Sequence, residues 1–225
     1  MSSISPPLWR IRNRELDFRK GPFIMGILNV TPDSFSDGGR FYDTETAVLH
    51  ALEMEKQGAD IIDIGGESTR PGSDPVTLKD ELKRVIPVIH SLRRQSSVLI
   101  SIDTNKSEVA AAAIAAGADI INDISAARFD AQMPEVALRY GCPMVIMHMQ
   151  GRPKDMQENP NYENVTGEVR DFLKERIDFL AAHGVNKIIV DPGIGFGKRV
   201  ADNLQLIREL AELKLLGQPI LMGLS

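Results

Sequence analysis

The side chains in this sequence that could do chemistry stand at the ends of short apolar runs. Asn29, Asp63, Asp103, Asn122 with Asp123, His148 and Asp191 each close such a run, and Ser225 holds the same place in the last one. A neutral amide such as Asn29 can offer one oxygen to a Mg²⁺ ion that keeps the rest of its shell as water and phosphate. Buried carboxylates such as Asp103 and Asp191 are costly unless something donates hydrogen bonds to them. Together with the Asn122 amide they suit a flat heterocycle rich in N–H donors, with Met147 and Phe196 supplying apolar and aromatic surface. Asp63 and Asp123 read as supporting groups, and pairing within the protein accounts for them equally well. Two polar loops follow the first two runs, Thr31-Pro32-Asp33-Ser34-Phe35-Ser36-Asp37-Gly38-Gly39 and Gly65-Gly66-Glu67-Ser68-Thr69-Arg70-Pro71-Gly72-Ser73. The second offers backbone N–H groups, hydroxyls and a guanidinium to an anion, phosphate above all. Turn composition explains either loop alone; a pair on one face points to segments that close over a substrate. Of the four histidines, only His148 falls at the end where the carboxylates gather.

The elements that must position these groups alternate strictly. Apolar runs at 23–29, 60–64, 98–103, 119–123, 144–148, 187–191 and 220–224 are separated by helical stretches at 44–57, 78–94, 106–116, 133–140, 168–183 and 202–216. Runs that are nearly all apolar, rather than alternating, are strands covered on both faces, as in a parallel sheet. Strand–helix alternation demands a parallel α/β fold. An open sheet concentrates function at one switch point, whereas a barrel gathers it from all strand ends. Polar residues close nearly every run here, which favours the barrel. The stretch Gly193-Ile194-Gly195-Phe196-Gly197 lacks the dinucleotide-binding spacing. Three helices leave through Gly58-Ala59-Asp60, Gly117-Ala118-Asp119 and Gly184-Val185-Asn186, each with glycine placed for a left-handed cap. Ahead of the barrel, residues 9–18 alternate about Asn13 and read as a hairpin, with Arg10, Arg12 and Arg14 as a solvated face.

Composition narrows the class. The 225 residues, 43% of them hydrophobic, can bury one substantial core, which excludes a disordered chain. A net charge of −5 argues against nucleic acid as a partner. Cys142 stands alone, so neither an internal disulfide nor a multi-cysteine metal site is possible. No run approaches the roughly 18 apolar residues of a membrane span, and the first ten residues lack a signal peptide's apolar segment. The expectation is a cytoplasmic chain forming one domain over 1–225, a little short for a barrel of typically ~250 residues.

Against this background two stretches carry a resemblance. Met25-Gly26-Ile27-Leu28-Asn29-Val30-Thr31-Pro32-Asp33-Ser34-Phe35-Ser36-Asp37-Gly38-Gly39 and Asp63-Ile64-Gly65-Gly66-Glu67-Ser68-Thr69-Arg70-Pro71-Gly72 resemble the two signatures of the dihydropteroate synthase family. Ser101-Ile102-Asp103-Thr104, Ile121-Asn122-Asp123-Ile124, Met147-His148-Met149-Gln150-Gly151 and Asp191-Pro192-Gly193-Ile194-Gly195-Phe196-Gly197-Lys198 continue the family's order. The resemblance implies a (β/α)8 TIM barrel that condenses 6-hydroxymethyl-7,8-dihydropterin pyrophosphate with p-aminobenzoate, yielding 7,8-dihydropteroate and pyrophosphate for folate synthesis, with sulfonamides competing for the aminobenzoate site. By the same resemblance Asp103, Asn122 and Asp191 bind the pterin, while Ile124, Met147, Gly195 and Phe196 line its slot. Asn29 holds Mg²⁺ on the pyrophosphate, which Thr69 and Arg70 also contact. Thr31, Pro32, Asp33, Ser34, Phe35 and Ser36, with Ser68, Thr69, Arg70 and Pro71, form loops around the aminobenzoate. Asp33, Arg70 and Asn29 take the catalytic roles, and a homodimer through late helices is implied.

The family continues past Gly223-Leu224-Ser225 into an Arg-Lys pair and later an Arg-x-His anion motif. The expectation is therefore an incomplete barrel of seven strands and six helices, ending before the seventh helix and the eighth βα unit. Two other readings stay open at this level: a pterin-binding barrel of the methyltetrahydrofolate methyltransferase type, and a non-catalytic pterin-binding or partner-binding fragment. The first has no need of the loop at 31–39 or of a pyrophosphate site.

Overall fold

The structure is a computed structural model that describes residues 8–31, 40–68 and 73–223. The hairpin is present as β1 (Leu8–Ile11) and β2 (Arg14–Asp17), paired antiparallel with Trp9 opposite Leu16. Six strands then pair in parallel and in chain order: β3 (Met25–Asn29), β4 (Ile61–Gly65), β5 (Leu99–Asp103), β6 (Ile120–Asp123), β7 (Met144–Met147) and β8 (Ile188–Asp191). Between them run α1 (Arg40–Lys56), α2 (Leu78–Arg93), α3 (Ser107–Ala116), α4 (Met133–Tyr140) and α5 (Val165–Ala182). After β8 come α6 (Val200–Arg208) and a 3-10 helix (Leu210–Leu216). The fifth helix begins earlier than its apolar pattern because the Asn164 side chain caps it, accepting from the Gly167 N–H at 3.2 Å. The last helical stretch splits at Glu209, whose carboxylate accepts from Thr166 Oγ1 at 2.6 Å.

The strand expected at 220–224 is only a parallel bridge between Ile220 and Val190. Two hydrogen bonds make it, from Val190 N–H to the Pro219 carbonyl and from Leu221 N–H to the Val190 carbonyl, both 2.9 Å. Pro219 accepts but has no N–H to extend the ladder, and residues 224–225 lie outside the described residues. Among the described residues nothing bonds the outer edge of β3, so the barrel is not closed. Ile24 and Ile27 are each 57% exposed there, whereas all five residues of β4 are buried.

Strand side chains alternate between two cores. Ile62, Ile64, Ile100, Ile102, Ile121 and Ile146 face the helices and pack with Val85, Val88, Ile89 and Leu92 of α2. Ile61, Leu99, Ile120, Val145 and Ile189 face the other way and are covered by Trp9, Ile11 and Leu16 of the hairpin. The hairpin therefore plugs the end of the barrel where the strands begin. Two residues further along β4, β5, β6 and β8 the inward positions turn polar, at Asp63, Ser101, Asn122 and Asp191, which leaves the opposite end for function.

The glycine exits take the expected left-handed backbone, with φ of 109° at Gly58, 120° at Gly117 and 83° at Gly184. The acidic residue that follows has its own task. Asp60 Oδ2 accepts from the Ile24 N–H at 2.8 Å, and Asp119 Oδ2 from the Ile100 N–H at 2.9 Å. Each carboxylate thus ties its own strand to the start of the preceding one. Asp119 is also paired with Arg93 at 2.5 Å and with Arg12. Arg12 is therefore not part of a solvated face: its side chain reaches back from the hairpin to a buried carboxylate. Asp119→Ala is expected to cost about 3 kcal/mol of unfolding free energy, because it removes the counter-charge of the largely buried Arg93 guanidinium and the acceptor of the buried Ile100 N–H. Urea unfolding would measure it, and a loss under about 1 kcal/mol would show that the Arg93–Asp119 network is not a mainstay of the fold.

Candidate active site

Strand register brings the polar residues together. Asn29 lies opposite Gly65, Gly65 opposite Asp103, Asp103 opposite Asn122, and Met147 opposite Asp191. Gly65 leaves open space between its neighbours. A Cβ built there would stand 3.4 Å from Asp103 Oδ2 and 3.7 Å from Asn29 Oδ1, so its absence leaves room between an amide oxygen and a carboxylate.

Asp63 supports this group from below. Its Oδ2 accepts from Asn122 Nδ2 at 3.0 Å, and since an ionised carboxylate only accepts, the Asn122 carbonyl oxygen is left for a ligand. The Ser101 hydroxyl is near enough to favour ionisation of Asp63 but outside hydrogen-bond geometry, and Asp63 Oδ1 has no partner. Burial raises the pKa of Asp63. Asp103 is pushed well above the usual carboxylate range, first by burial and then by Asp63, Glu81, Asp123 and Glu67, although part of its surface stays open at the mouth. Asp191 is raised to about 6 by burial, opposed by the Gly193 N–H that donates to its Oδ1 at 2.7 Å and by Lys198. Among the described residues no hydrogen bond reaches the Asp103 carboxylate. The upper barrel is an acceptor-rich pocket short of donors. Asp123, by contrast, points away and caps its own turn, accepting from the N–H groups of Ser125 and Ala127 at 2.8 Å each.

An apolar wall adjoins the acceptors. Ile124 and Met147 pack with Met149 and Met156, with Phe129 and Phe196 against them. Gly195 and Phe196 are carried by the loop after β8, where Gly193, Gly195 and Gly197 all have positive φ. Lys198 holds this loop. It is 3% exposed, and its Nζ donates to the carbonyls of Phe196 (2.9 Å), Gly193 (2.8 Å) and His148 (3.2 Å). Burial lowers the Lys198 pKa to about 7, against the pull of Asp191 and Asp202. Gln157 and Tyr162 donate to the carbonyls of Gly195 and Gly197 at 2.7 and 2.6 Å.

The structure brings together Asn29, Asp103, Asn122, Ile124, Met147, Asp191, Gly195 and Phe196 at the ends of the strands. Thr31 and Ser68 stand where the two long loops begin. Pro32, Asp33, Ser34, Phe35, Ser36, Thr69, Arg70 and Pro71 lie outside the described residues. His148 takes no place in the pocket. Its ring packs edge-on against Phe172 at 4.9 Å, and burial, with Lys198 and Arg128, pushes its pKa down to about 3. Sequence reasoning gave Asp63 the supporting role it has here but missed Lys198, for which the available signal was a lysine ending a glycine-rich run at the mouth.

A parallel barrel-type sheet whose strand ends present two carboxylates and an oriented amide beside an apolar slot defines a heterocycle-binding α/β enzyme. A family profile described as pterin binding enzyme matches residues 25–225. The dihydropteroate synthase of Synechocystis sp. is 47% identical over 227 residues, spanning 100% of this chain and 78% of the relative. Among solved structures, the Yersinia pestis dihydropteroate synthase with a sulfonamide drug superposes with a TM-score of 0.90 at 43% identity, covering 97% of this chain and 80% of that one. The Xanthomonas albilineans dihydropteroate synthase with 4-aminobenzoic acid gives 0.90 at 47% identity, covering 97% and 78%. The chain belongs to the dihydropteroate synthase family of pterin-binding enzymes, transferases of folate biosynthesis.

Proposed function

We propose that this chain joins 6-hydroxymethyl-7,8-dihydropterin pyrophosphate to p-aminobenzoate in the barrel mouth, with the pterin on Asp103, Asn122 and Asp191. The observation that carries this reading is the donor deficit there: three buried or half-buried acceptors converge, and a pterin edge supplies the N–H groups they lack. Ile124, Met147, Gly195 and Phe196 line the slot for the ring. Asp63 takes part through Asn122, whose amide it turns so that the carbonyl oxygen faces the ligand.

The amine nitrogen of p-aminobenzoate forms a bond to the pterin methylene carbon while the C–O bond to pyrophosphate breaks and its electron pair leaves with the pyrophosphate. The amine then loses a proton. Positive charge spreads into the pterin as the bond breaks, and the nearby carboxylates favour it. By the family resemblance Thr69 and Arg70 meet the departing pyrophosphate, Asp33 steadies the cation, and the loop residues Thr31 to Ser36 and Ser68 to Pro71 enclose the amine. No enzyme nucleophile is required, and trapping a covalent pterin adduct would overturn this mechanism. Sulfonamides compete for the amine's place.

The donor set at Asn29 fits a Mg²⁺ ion that takes most of its ligands from pyrophosphate and water. Among the described residues no group of three or more His, Cys, Asp or Glu could cage a metal, whereas a single amide oxygen beside the Gly65 opening can complete a phosphate-bound shell. When bound, the ion supplies neutralisation of the leaving group's charge. Calorimetric titration with the pterin pyrophosphate and then p-aminobenzoate, followed by chromatography of the product, tests the proposal. Formation of 7,8-dihydropteroate is expected; tight pterin binding with no product would refute turnover by this chain.

A further inference from the structure

We propose that Lys198 is a positioning residue for the pterin: its ammonium pins the loop at 192–199 to the end of β7 and answers the charge of Asp191 across Gly193. The inference rests on the function proposed above. An ammonium has three N–H donors and no lone pair. Lys198 Nζ has three partners, the carbonyls of Gly193 at 2.8 Å and Phe196 at 2.9 Å in its own loop and of His148 at 3.2 Å beyond β7. All three donors are used, and a neutral amine would turn its lone pair toward one of these oxygens. Neutral donors suffice to pin a loop, as Gln157 and Tyr162 do on Gly195 and Gly197. A buried charge is costly, and no salt bridge among the described residues pairs this one directly, so the charge needs a use.

Asp191 supplies that use. Gly193 lies between the two charges: its N–H donates to Asp191 Oδ1 at 2.7 Å, and its carbonyl accepts from Lys198. His148 bridges them a second time, since its N–H donates to the Asp191 carbonyl at 3.0 Å and its own carbonyl accepts from Lys198. The lysine therefore holds the two peptides that bracket Asp191, together with the carbonyl of Phe196, whose ring lines the slot. The fit is close, because a Cβ at Gly193 or Gly197 would overlap the carbonyl oxygens of His148 or Gln150.

The other charges around the ammonium have partners of their own. Asp202 of α6 accepts from the Arg199 guanidinium at 2.8 and 2.9 Å, and Arg128, which faces His148, donates to the carbonyls of Ser125 and Met149 at 3.0 Å each. Burial keeps the Tyr162 phenol and the His148 ring neutral through the neutral range. Burial also draws the Lys198 pKa down to about 7, so the lysine still carries its proton at about pH 6, where Asp191 titrates. There its charge opposes the effect of burial on Asp191 and extends the ionised, accepting form to lower pH.

The test is calorimetric titration of the full chain with the pterin pyrophosphate across pH 5 to 8. In Lys198→Met, affinity at pH 7 is expected to fall about 30-fold, and the acidic limb of the profile, set by Asp191, to move up by about one pH unit. Tyr162→Phe loosens the same loop without touching the charge, so it should weaken binding by less than about 5-fold and leave the limb in place. In an Asp191→Asn background, Lys198→Met should cost less than in wild type, because there is no longer a carboxylate to serve. A limb that stays put in Lys198→Met, one that Tyr162→Phe moves as far, or an equal cost in both backgrounds would overturn the proposal. Should Lys198→Met not fold, the coupling is read from the other side. The Lys198 Nζ NMR signal is expected to titrate about one pH unit lower in Asp191→Asn than in wild type, and an unchanged titration would overturn the proposal. If the wild-type chain does not bind the pterin pyrophosphate, the functional reading fails on that result alone, and the Nζ titration still decides whether Lys198 and Asp191 are coupled.

Discussion

Asp191→Asn is expected to weaken pterin binding about 100-fold at pH 7.5, the loss of a charged hydrogen bond worth about 2.7 kcal/mol. An asparagine keeps the shape and one acceptor but turns an NH₂ toward a ligand edge made of donors. The pH dependence separates this from simple misfolding. The Asp191 pKa is raised to about 6, so the accepting carboxylate is complete above that pH and is lost as pH falls below it. Wild-type affinity should therefore drop about tenfold per pH unit below 6, while Asp191→Asn should lose that limb of the profile. The stability sign runs the other way. A carboxyl whose folded pKa is raised holds its proton where the unfolded chain has lost it, so its contribution favours the fold below about pH 4 and is lost as pH rises through about 6. Pterin relieves that burden by donating to the carboxylate, so the ligand-induced rise in Tm should be larger at pH 7 than at pH 5. Calorimetry and thermal scans across pH 5 to 8 would measure both, and an Asp191→Asn protein with wild-type affinity and pH profile would remove Asp191 from the site.

Much of this arrangement was legible in the sequence because a parallel barrel converts chain position into spatial position. A polar residue closing a fully apolar run has to emerge at the strand's end, which is how Asn29, Asp103, Asn122 and Asp191 could be grouped before any coordinates. The same logic overran at 220–224, where an apolar run is preceded by Pro219 and only a bridge forms. What the pattern could not carry were bonds from side chains to distant backbone. Lys198 reaches the carbonyl of His148, fifty residues earlier, and Arg12 reaches Asp119 from the hairpin. Neither partner has a spacing that marks it. His148 shows the limit from the other side: it closes a strand as the acidic residues do, yet its ring turns toward α5 and packs on Phe172. Asp63 was legible as a supporting group, but not which partner it supports, since meeting Asn122 requires β4, β5 and β6 to be in register first.

Two glycine-to-alanine changes at the mouth should have opposite consequences for the fold, and the contrast is the sharpest available check on the site. At Gly193 the backbone has φ +67°, and a Cβ would stand 2.0 Å from the His148 carbonyl oxygen, a backbone atom that cannot turn aside. Left-handed backbone alone costs a non-glycine residue about 1 kcal/mol, and the overlap forces the loop away from β7 as well. The displaced loop carries the Gly193 N–H that bonds Asp191, the Phe196 that lines the slot, and two of the three carbonyls that hold Lys198. Gly193→Ala is therefore expected to lose at least about 3 kcal/mol of stability together with nearly all turnover. At Gly65 a methyl group meets nothing closer than 3.4 Å, so Gly65→Ala should fold with wild-type stability. Its methyl, however, projects between Asn29 Oδ1 and Asp103 Oδ2, into the room proposed for the pterin pyrophosphate, and substrate affinity should fall about 30-fold or more, since a filled volume there cannot be recovered by rearranging strand ends. Urea unfolding and pterin titration on both variants give four numbers. If Gly65→Ala binds pterin pyrophosphate as tightly as wild type, the opening between Asn29 and Asp103 is not where the substrate sits.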